Sequence, residues 1–277
     1  MIAFVNNEYI PVEKATLHVG DLAIQRGYAA FDYLRVKNNC PLFIEDYLDR
    51  FYSSADLMHL HPKLSKEEIK EIIGELMAHN KLPESGIRMI LTGGYSPDHY
   101  EPVSGNLIIL QENLQLPSHE KFINGVKVIT HEYQRDLPEV KSINYYMGIW
   151  LQQKIKAQDA ADVLYYKNGI VSELPRANIV MFTKDEKIVT PSENILFGIT
   201  RMKLLALAAK KYIVEERDIT IKELKNAAEV FMTSTTKRIL PVNQLDNFVI
   251  GNGKAGPVTS LLNDAFVAME DALSADS

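Results

Sequence analysis

LPEVKSINYY, residues 137–146, places a single lysine, Lys141, between Pro-Glu-Val and Ser-Ile-Asn-Tyr. The stretch has neither the amphipathic pattern of a solvated helix face nor the charge run of a basic tail. A lone lysine is most often a surface charge, so Lys141 by itself indicates no chemistry. Its meaning depends on the chemical groups that the rest of the chain supplies.

The composition is that of a globular protein. The chain has 277 residues, 46% of them hydrophobic, and a net charge of −6. This length is sufficient for two modest domains or one large one. The acidic balance argues against a nucleic-acid partner. There is no apolar run long enough for a membrane span and no secretory signal pattern, so we expect no membrane partner. Because Cys40 is the single cysteine, we expect neither an intrachain disulfide nor a cysteine-based metal cluster, and a reducing, cytoplasmic setting.

The first half of the chain predicts mixed helices and strands. A capping box begins at Ser65 and is followed by apolar residues at helical spacing. An earlier predicted helix carries Tyr47, Leu48, Phe51, Ala55 and Met58. Short apolar runs at 87–91 and 107–110 predict strands. The polar segment QENLQLPSHE, residues 111–120, is the expected linker.

The second half is richer in predicted strands. Residues 163–166 and 170–172 flank Lys-Asn-Gly, a strong hairpin signal, and residues 179–182 and 187–189 flank another polar turn. A helix is expected from Arg201 through Lys211. A last helix is expected to bury Leu261, Leu262, Ala265, Phe266 and Met269.

Three local features could hold a charged ligand. Gly198-Ile199-Thr200 precedes a predicted helix, whose free backbone amides would form an anion site, although Thr200 could equally be a simple N-cap. Residues 233–236 are four hydroxyl residues after a predicted strand, and they could surround a phosphate or form a polar turn. Glu173, in VSELPRANIV, is either a buried carboxylate or a solvated turn residue. Together with a lysine that forms a Schiff base, an anion site and a carboxylate are what pyridoxal phosphate requires.

Five stretches resemble the class IV (fold type IV) pyridoxal-phosphate aminotransferases, which include D-amino-acid transaminases, branched-chain aminotransferases and aminodeoxychorismate lyases. Each stretch is weak alone, but the five follow the order and spacing of the family over nearly the whole chain. They are DYLDRFYSSADL around Arg50, VKSINYY around Lys141, VSELPRANIV around Glu173, NILFGITR at 194–201 and EVFMTSTTKRILPV around Thr235.

The resemblance implies a two-domain α/β (α+β) fold. Residues 1–112 would form a small N-terminal α/β domain, and residues 113–119 the interdomain linker. Residues 120–277 would form a larger, strand-rich pseudo-barrel domain that binds the cofactor. The resemblance also implies a homodimer, because active sites in this family lie between the domains and receive residues from a second subunit.

The same resemblance assigns roles in binding pyridoxal 5'-phosphate. Lys141 would be the Schiff-base lysine that also moves the proton between the substrate Cα and the cofactor C4′. Arg50 resembles the phosphate-binding arginine, since a guanidinium suits a dianion. Glu173 would keep the pyridine nitrogen protonated, so that the ring acts as an electron sink. The other implied cofactor residues are Tyr145, Asn178, Ile199, Thr200, Ser234 and Thr235.

The segments expected to bind the substrate depart from the family pattern. DLAIQRGYAAFDYLRV, residues 21–36, aligns without gaps with D-R-G-F-x-Y-G-D-G-x-F-E-T-x-R. Phe31 occupies the family's aromatic position, whereas Arg26 stands where another aromatic residue usually shapes the pocket. Asp98 and Tyr100 stand where D-amino-acid transaminases have an Arg-x-His pair for the substrate α-carboxylate.

A transaminase still needs a cation for that carboxylate, since burying it unpaired is unfavourable. We therefore expect Arg26 and Arg176 to bind it, from the same or the partner subunit. The alternative is that both arginines pair with surface acids such as Asp32 or Glu173.

These features predict a transaminase that exchanges the amino group between a D-amino acid and a 2-oxo acid. The absence of the signatures of the branched-chain enzymes favours the D-amino acid. An L-branched-chain-amino-acid aminotransferase is the nearest alternative and an aminodeoxychorismate lyase the next. A protein that binds the cofactor without turnover is a further alternative of a different class.

Overall fold

The computed structural model describes residues 1–275, and the chain divides into two compact units. Unit 1 comprises Met1–Leu114, Val140–Asn144 and the chain from Glu270 onward, and unit 2 comprises Gln115–Glu139 and Tyr145–Met269. The first boundary lies within the predicted linker, residues 113–119. The return of Val140–Asn144 to unit 1 was not predicted, because a pairing between distant segments leaves no local sequence pattern.

Unit 1 is built on a six-stranded sheet with the order β2-β1-β6-β5-β3-β4, in which all neighbours are antiparallel. The strands are β1 (Ile2–Val5), β2 (Glu8–Pro11), β3 (Ala29–Lys37), β4 (Cys40–Pro41), β5 (Ser85–Thr92) and β6 (Leu107–Asn113). The helices are α1 (Leu22–Arg26), α2 (Ile44–Leu57) and α3 (Lys66–Asn80), with a 3₁₀ turn at Val12–Lys14.

The core of unit 1 lies between this sheet and helices α2 and α3. Leu34 and Ile87 of the sheet and Phe51 and Ile73 of the helices are fully buried. The predicted capping box is confirmed: the Ser65 side chain accepts from the amide of residue 68, whose carboxylate accepts from the Ser65 amide. Such a cap stabilises a helix by about 1 kcal/mol.

The end of the chain completes unit 1 through a buried ion pair. Arg35 Nη1 of β3 lies 2.6 Å from Glu270 Oε1, and the side chains are 2% and 3% exposed. Lys37 forms a second ion pair with Asp271. Because an unpaired buried charge is strongly unfavourable, Arg35 and Glu270 depend on each other.

Unit 2 is built on a ten-stranded sheet with the main order β13-β12-β11-β14-β15-β7-β8-β9; β10 pairs with β11, and β16 with β15. The strands are β7 (Val126–Glu132), β8 (Asp162–Lys167), β9 (Ile170–Val171), β10 (Glu173–Leu174), β11 (Ala177–Phe182), β12 (Lys187–Thr190), β13 (Ile213–Glu216), β14 (Glu229–Ser234), β15 (Arg238–Leu245) and β16 (Phe248–Val249). The helices are α4 (His119–Asn124), α5 (Tyr146–Trp150), α6 (Gln152–Ala157), α7 (Ile199–Ala208), α8 (Ile221–Lys225) and the part of α9 (Pro257–Ala275) that precedes Glu270.

The predicted fold class, α/β with a small unit and a larger strand-rich unit, is confirmed. The predicted hairpin between β8 and β9 is also present, because Asn168 and Gly169 both adopt positive φ, as its tight turn requires. Among residues 1–275, no helix has both the length and the apolar character that spanning a bilayer requires.

Three local predictions need correction. Helix α7 begins at Ile199 rather than Arg201, because the extended backbone of Gly198 forms its N-cap, and it ends at Ala208 rather than Lys211. The linker is shorter than residues 111–120, since β6 continues to Asn113 and α4 begins at His119. Leu261 is 44% exposed rather than buried, because it lies off the core-facing stripe of α9.

Candidate active site

Lys141 lies in a short segment of unit 1 that pairs with the beginning of β3. The Phe31 amide donates to the Lys141 carbonyl at 2.9 Å, and the Ile143 amide donates to the Ala29 carbonyl at 3.0 Å. The Lys141 amide donates to Ser54 Oγ of α2 at 3.1 Å. The backbone of the predicted Schiff-base lysine is therefore fixed by two elements that are distant in sequence.

The Lys141 side chain is half-buried and lies over an aromatic ring. Its Nζ atom is 4.7 Å from the centre of the Phe31 ring, and Phe31 is 8% exposed. A cation over a ring face is attracted by the ring's negative potential. The structure thus brings together the predicted catalytic lysine and one of the predicted substrate-binding residues.

Arg50 of α2 is held by a buried carboxylate. Its Nε atom donates to Asp32 Oδ2 at 2.9 Å and its Nη2 atom donates to Asp32 Oδ1 at 2.7 Å. The Asp32 side chain is fully buried and the Arg50 side chain is 11% exposed. This fork-to-fork geometry fixes the orientation of the guanidinium. Asp32 is therefore a buried partner of Arg50 and not a surface acid available to Arg26.

Glu173 is the buried carboxylate of unit 2. It begins β10, pairs with Asn178 across the hairpin to β11, and is 4% exposed. Its Oε1 atom accepts from Arg135 Nη1 at 2.9 Å, and its Oε2 atom accepts from the Leu196 amide at 3.0 Å. The alternative that Glu173 is a solvated turn residue is therefore wrong, because its carboxylate is buried and hydrogen-bonded.

Arg135 is the contact that sequence reasoning missed. It lies six positions before Lys141 in a stretch with no motif, and its side chain is 12% exposed. The one available signal is the general rule that a buried carboxylate requires a partner. That rule does not say which of several nearby cations is the partner.

The N-terminus of α7 has free backbone amides. Gly198 is the N-cap, and no side chain caps the helix there. Ile199 and Thr200 follow as buried residues of the helix. The alternative that Thr200 is a simple N-cap is therefore wrong. Asn178 Nδ2 donates to the Leu196 carbonyl at 2.7 Å, and a Cβ added at Gly198 would lie 2.2 Å from Asn178 Oδ1. Only glycine, which has no Cβ, leaves room at position 198 for the Asn178 side chain.

The predicted hydroxyl cluster forms the turn between β14 and β15. Ser234 ends β14, and its Oγ atom accepts from the Lys237 amide at 3.2 Å; Thr235 follows in the turn. Thr233 Oγ1 is buried and makes no hydrogen bond with the residues that the structure describes. Thr233 lies opposite Asn178 in the ladder, so both side chains project from the same face of the sheet.

These features test whether unit 2 fits a phosphorylated cofactor. Helix α7 has ten residues and no side-chain cap, so the free amides at its N-terminus favour the binding of an anion. The buried Thr233 hydroxyl makes no hydrogen bond within residues 1–275, and an anion oxygen would accept one from it. Because Glu173 is a carboxylate of the same unit, the residues present fit a group that carries both a phosphate and a basic ring nitrogen.

Two tyrosines complete the surroundings. Tyr145 is half-buried at the N-cap of α5, and its carbonyl accepts from the Ile149 amide at 3.0 Å. Tyr165 of β8 is 2% exposed, and burial raises the pKa of its phenol, with Tyr133 and Asp162 raising that pKa further. Tyr165 is therefore a neutral hydroxyl at any physiological pH.

Arg26 and Arg176 are both exposed. Arg26 ends α1, and its Nη1 atom donates to the Gln25 carbonyl at 3.0 Å. Arg176 lies in the two-residue turn between β10 and β11. Within residues 1–275, neither guanidinium forms an ion pair with a carboxylate. The predicted alternative, pairing with Asp32 or Glu173, does not occur, since those acids bind Arg50 and Arg135.

Asp98 stabilises its own loop. Its Oδ1 atom accepts from Ser96 Oγ at 2.6 Å and from the amides of Tyr100 and Glu101 at 3.0 and 2.9 Å. The hydrogen bond from Ser96, followed by those from the two amides, lowers the pKa of Asp98 to about 2. An ionised carboxylate at this position repels another carboxylate.

Comparison with known proteins identifies the family. The chain matches amino-transferase class IV over residues 29–245. It is 32% identical to a D-alanine aminotransferase of Listeria monocytogenes serotype 4b (strain F2365), over 96% of this chain and 95% of that protein. It is 31% identical to branched-chain-amino-acid aminotransferase-like protein 2 of Arabidopsis thaliana, over 98% of this chain but 50% of that protein. The chain therefore belongs to the class IV aminotransferases, as predicted.

A solved structure agrees in fold. The branched-chain amino acid aminotransferase of T.th., determined with pyridoxamine 5'-phosphate, superimposes with a TM-score of 0.91 at 24% identity. The match covers 100% of this chain and 95% of that one. The predicted fold type and transaminase class are confirmed, whereas the preference for a D- or an L-amino acid is a separate question.

Proposed function

We propose that this protein transfers an amino group between a D-amino acid and a 2-oxo acid, with pyridoxal 5'-phosphate as its cofactor. The observation that carries the proposal lies in unit 2. Leu196 donates to the buried Glu173 carboxylate and is followed three residues later by the uncapped N-terminus of α7. One short segment thereby connects a partner for a ring nitrogen with amides for a phosphate.

The cofactor, when bound, supplies an electron sink that makes the hydrogen on the substrate Cα acidic. Lys141 would bind the cofactor through Nζ and take the proton from Cα. Glu173 would hold the proton on the ring nitrogen, and Tyr145 would donate to the phenolic oxygen. The remaining proposed cofactor residues are Arg50, Asn178, Ile199, Thr200, Ser234 and Thr235.

For the substrate we assign Arg26 and Arg176 as the groups that bind the α-carboxylate, and Phe31 as a wall beside Lys141. The exposure of both arginines and their lack of carboxylate partners among the described residues support this assignment. The D-alanine aminotransferase of Listeria, which this chain matches over 95% of its length, supports the D-amino acid.

We also propose that the protein is a homodimer. Support comes from α5, where Tyr146, Ile149 and Trp150 are 71%, 69% and 62% exposed. Large apolar side chains at this helical spacing form a continuous face, which is typical of a surface that another chain covers. Sedimentation equilibrium tests the dimer, and the emission of Trp150, the single tryptophan, reports whether this face is covered.

The decisive experiment loads the protein with pyridoxal 5'-phosphate and follows the absorption band of the bound cofactor. D-alanine, D-glutamate, L-leucine and L-glutamate are added separately, without a 2-oxo acid. Loss of the band with D-amino acids alone supports the proposal. Loss with L-leucine or L-glutamate alone assigns the protein to the branched-chain group and contradicts it.

The role of Lys141 is tested with matched lysine variants. Lys141→Ala is expected to lower the rate of the half-reaction by about 10³-fold or more, and borohydride treatment should no longer attach the cofactor to the peptide containing residue 141. Lys156→Ala, an exposed lysine of α6, should behave as the unaltered protein. Retention of the borohydride adduct in Lys141→Ala would show that another lysine binds the cofactor.

A further inference from the structure

Asp21 is a buried carboxylate that the proposed reaction does not use. It is fully buried at the N-cap of α1, where its Oδ1 atom accepts from the Ala23 amide at 2.7 Å. Its Oδ2 atom accepts from Thr92 Oγ1 at 2.8 Å and from Asn106 Nδ2 at 2.6 Å. Within residues 1–275 it forms no ion pair, so three neutral donors hold it.

Two of these donors close the base of a loop. Thr92 ends β5, and Asn106 directly precedes β6, so the loop of residues 93–105 runs between them. Thr92 Oγ1 also accepts from the amides of Gly94 and Asn106, both at 3.1 Å. The base is narrow, because a Cβ added at Gly105 would lie 2.2 Å from the Thr92 carbonyl oxygen.

Backbone hydrogen bonds join the same loop to both ends of α1. The Leu22 amide donates to the Gly94 carbonyl at 3.0 Å, and the Gly93 amide donates to the Tyr28 carbonyl at 3.0 Å. Helix α1 is therefore hydrogen-bonded to the loop at its start and just after its end. Asp21 lies where the N-terminus of the helix meets the loop.

We propose that Asp21 is a positioning residue that makes α1 and the loop 93–105 one substrate-recognition element. Arg26 ends α1, and Asp98 and Tyr100 occupy the loop positions where an Arg-x-His pair is missing. The carboxylate couples the helix with the arginine to the loop, so that neither moves without the other. This inference rests on the proposed role of Arg26.

The chemistry of the donors explains why the residue is an aspartate. Three groups donate to Asp21, and two of them share Oδ2. An asparagine at this position would present an amide NH₂ to one of these donors, and the Asn106 Nδ2 group has no lone pair to accept it. A buried carboxylate without a cation is otherwise unfavourable, which fits a residue kept for geometry.

The experiment compares Asp21→Asn with Ser85→Ala in the cofactor-loaded protein. Ser85 is fully buried at the start of β5, where its Oγ atom donates to the Leu82 carbonyl and accepts from Gln111 Nε2. It therefore controls for the loss of a buried polar contact in the same unit. Thr92→Val, which removes the hydroxyl that donates to Asp21 and accepts from the Gly94 and Asn106 amides, is a second variant if Asp21→Asn does not fold.

For Asp21→Asn we expect the amino-acid concentration that half-saturates the half-reaction to rise about tenfold or more. The saturated rate and the affinity for the cofactor should change less than about threefold, because Lys141 and Glu173 are untouched. Ser85→Ala should leave the half-saturating concentration unchanged. An unchanged value in Asp21→Asn, or an equal rise in Ser85→Ala, overturns the proposal.

Hydrogen exchange provides a readout that does not depend on activity. In Asp21→Asn, residues 22–27 and 93–105 should exchange faster together, whereas Ser85→Ala should leave both unchanged. Faster exchange in the helix alone contradicts the coupling. If the unaltered protein responds to no amino acid, the proposed function fails, and hydrogen exchange still decides whether Asp21 couples helix and loop.

Discussion

Two arginine–carboxylate pairs of this protein are buried to the same extent but are connected differently. Arg50 is 11% exposed and Arg135 is 12% exposed. In the first pair, both oxygens of Asp32 bind the same guanidinium. In the second, the oxygens of Glu173 bind two different elements, the Arg135 side chain and the Leu196 amide. We call the first pair the brace, because it joins β3 to α2. We call the second pair the junction, because Glu173 joins two segments that are distant from it in sequence.

The difference shows that burial alone does not describe what a buried charge does. Replacing Asp32 affects the Arg50 guanidinium and the adjacent Tyr33 amide, which also donates to Asp32 Oδ1. Replacing Glu173 affects two segments that are distant from it in sequence. Asn178 belongs to the same junction, because it binds the Leu196 carbonyl while Glu173 binds the Leu196 amide. The amide and the carbonyl of Leu196 are thus bound by Glu173 and Asn178, which lie opposite each other in the hairpin.

The largest effect is expected from Arg135→Met. Because it removes the buried Arg135 guanidinium from the Glu173 carboxylate, the free energy of unfolding should fall by about 3–5 kcal/mol. Denaturant unfolding measures this, and Arg135→Lys should recover part of the loss. Arg217→Met, at a guanidinium that is 40% exposed, should change stability by less than about 1 kcal/mol. Equal losses in both methionine variants would remove the distinction between junction and surface pair.

A smaller loss is expected at the brace. Asp32→Asn keeps one acceptor for Arg50, so the free energy of unfolding should fall by about 1.5–3 kcal/mol. The affinity for pyridoxal 5'-phosphate should also fall, because the guanidinium is less well oriented, and a spectroscopic titration measures it. If Asp32→Asn lowers stability more than Arg135→Met does, the brace is the more important of the two.

The junction can be sharpened with Asn178→Ala and Gly198→Ala. Removing the Asn178 amide should lower the free energy of unfolding by about 1–2 kcal/mol, since the Leu196 carbonyl loses its donor. Gly198→Ala forces a contact with Asn178 Oδ1, so its effect should be smaller in the Asn178→Ala background. A double-mutant cycle measures this coupling, and strict additivity would contradict the assigned contact.

The smallest effect is expected from the exposed carboxylate of Asp98. Its pKa is lowered from 3.8 to about 2, so its hydrogen bonds stabilise the loop fully above about pH 4 and are lost as pH falls through about 2. Hydrogen exchange of residues 98–101 should therefore accelerate, relative to the rest of the chain, on acidification through that window. Asp98→Ala should exchange rapidly at every pH, and no difference between the two proteins at pH 6 would contradict the assignment.

The sequence predicted the helices and strands better than the tertiary contacts of the candidate site residues. Arg50, Lys141 and Glu173 stand in stretches that resemble the family's motifs in order and spacing, so their segments could be recognised. Arg135 and Ser54 make decisive contacts from stretches without a motif, because a tertiary contact needs no local pattern. The start of α7 was predicted two residues late, and its N-cap, Gly198, lies against the Asn178 side chain in a tertiary contact that leaves no local pattern.

The buried pair between Arg35 and Glu270 has a consequence for the order in which the protein acquires its structure. The two residues are separated by 235 positions, so Arg35 leaves the ribosome long before its partner does. Until Glu270 arrives, the Arg35 guanidinium of β3 lacks this buried counter-charge, and its burial is unfavourable relative to exposure to water. Although most of unit 1 emerges first, its folding cannot be complete until Glu270 has also emerged.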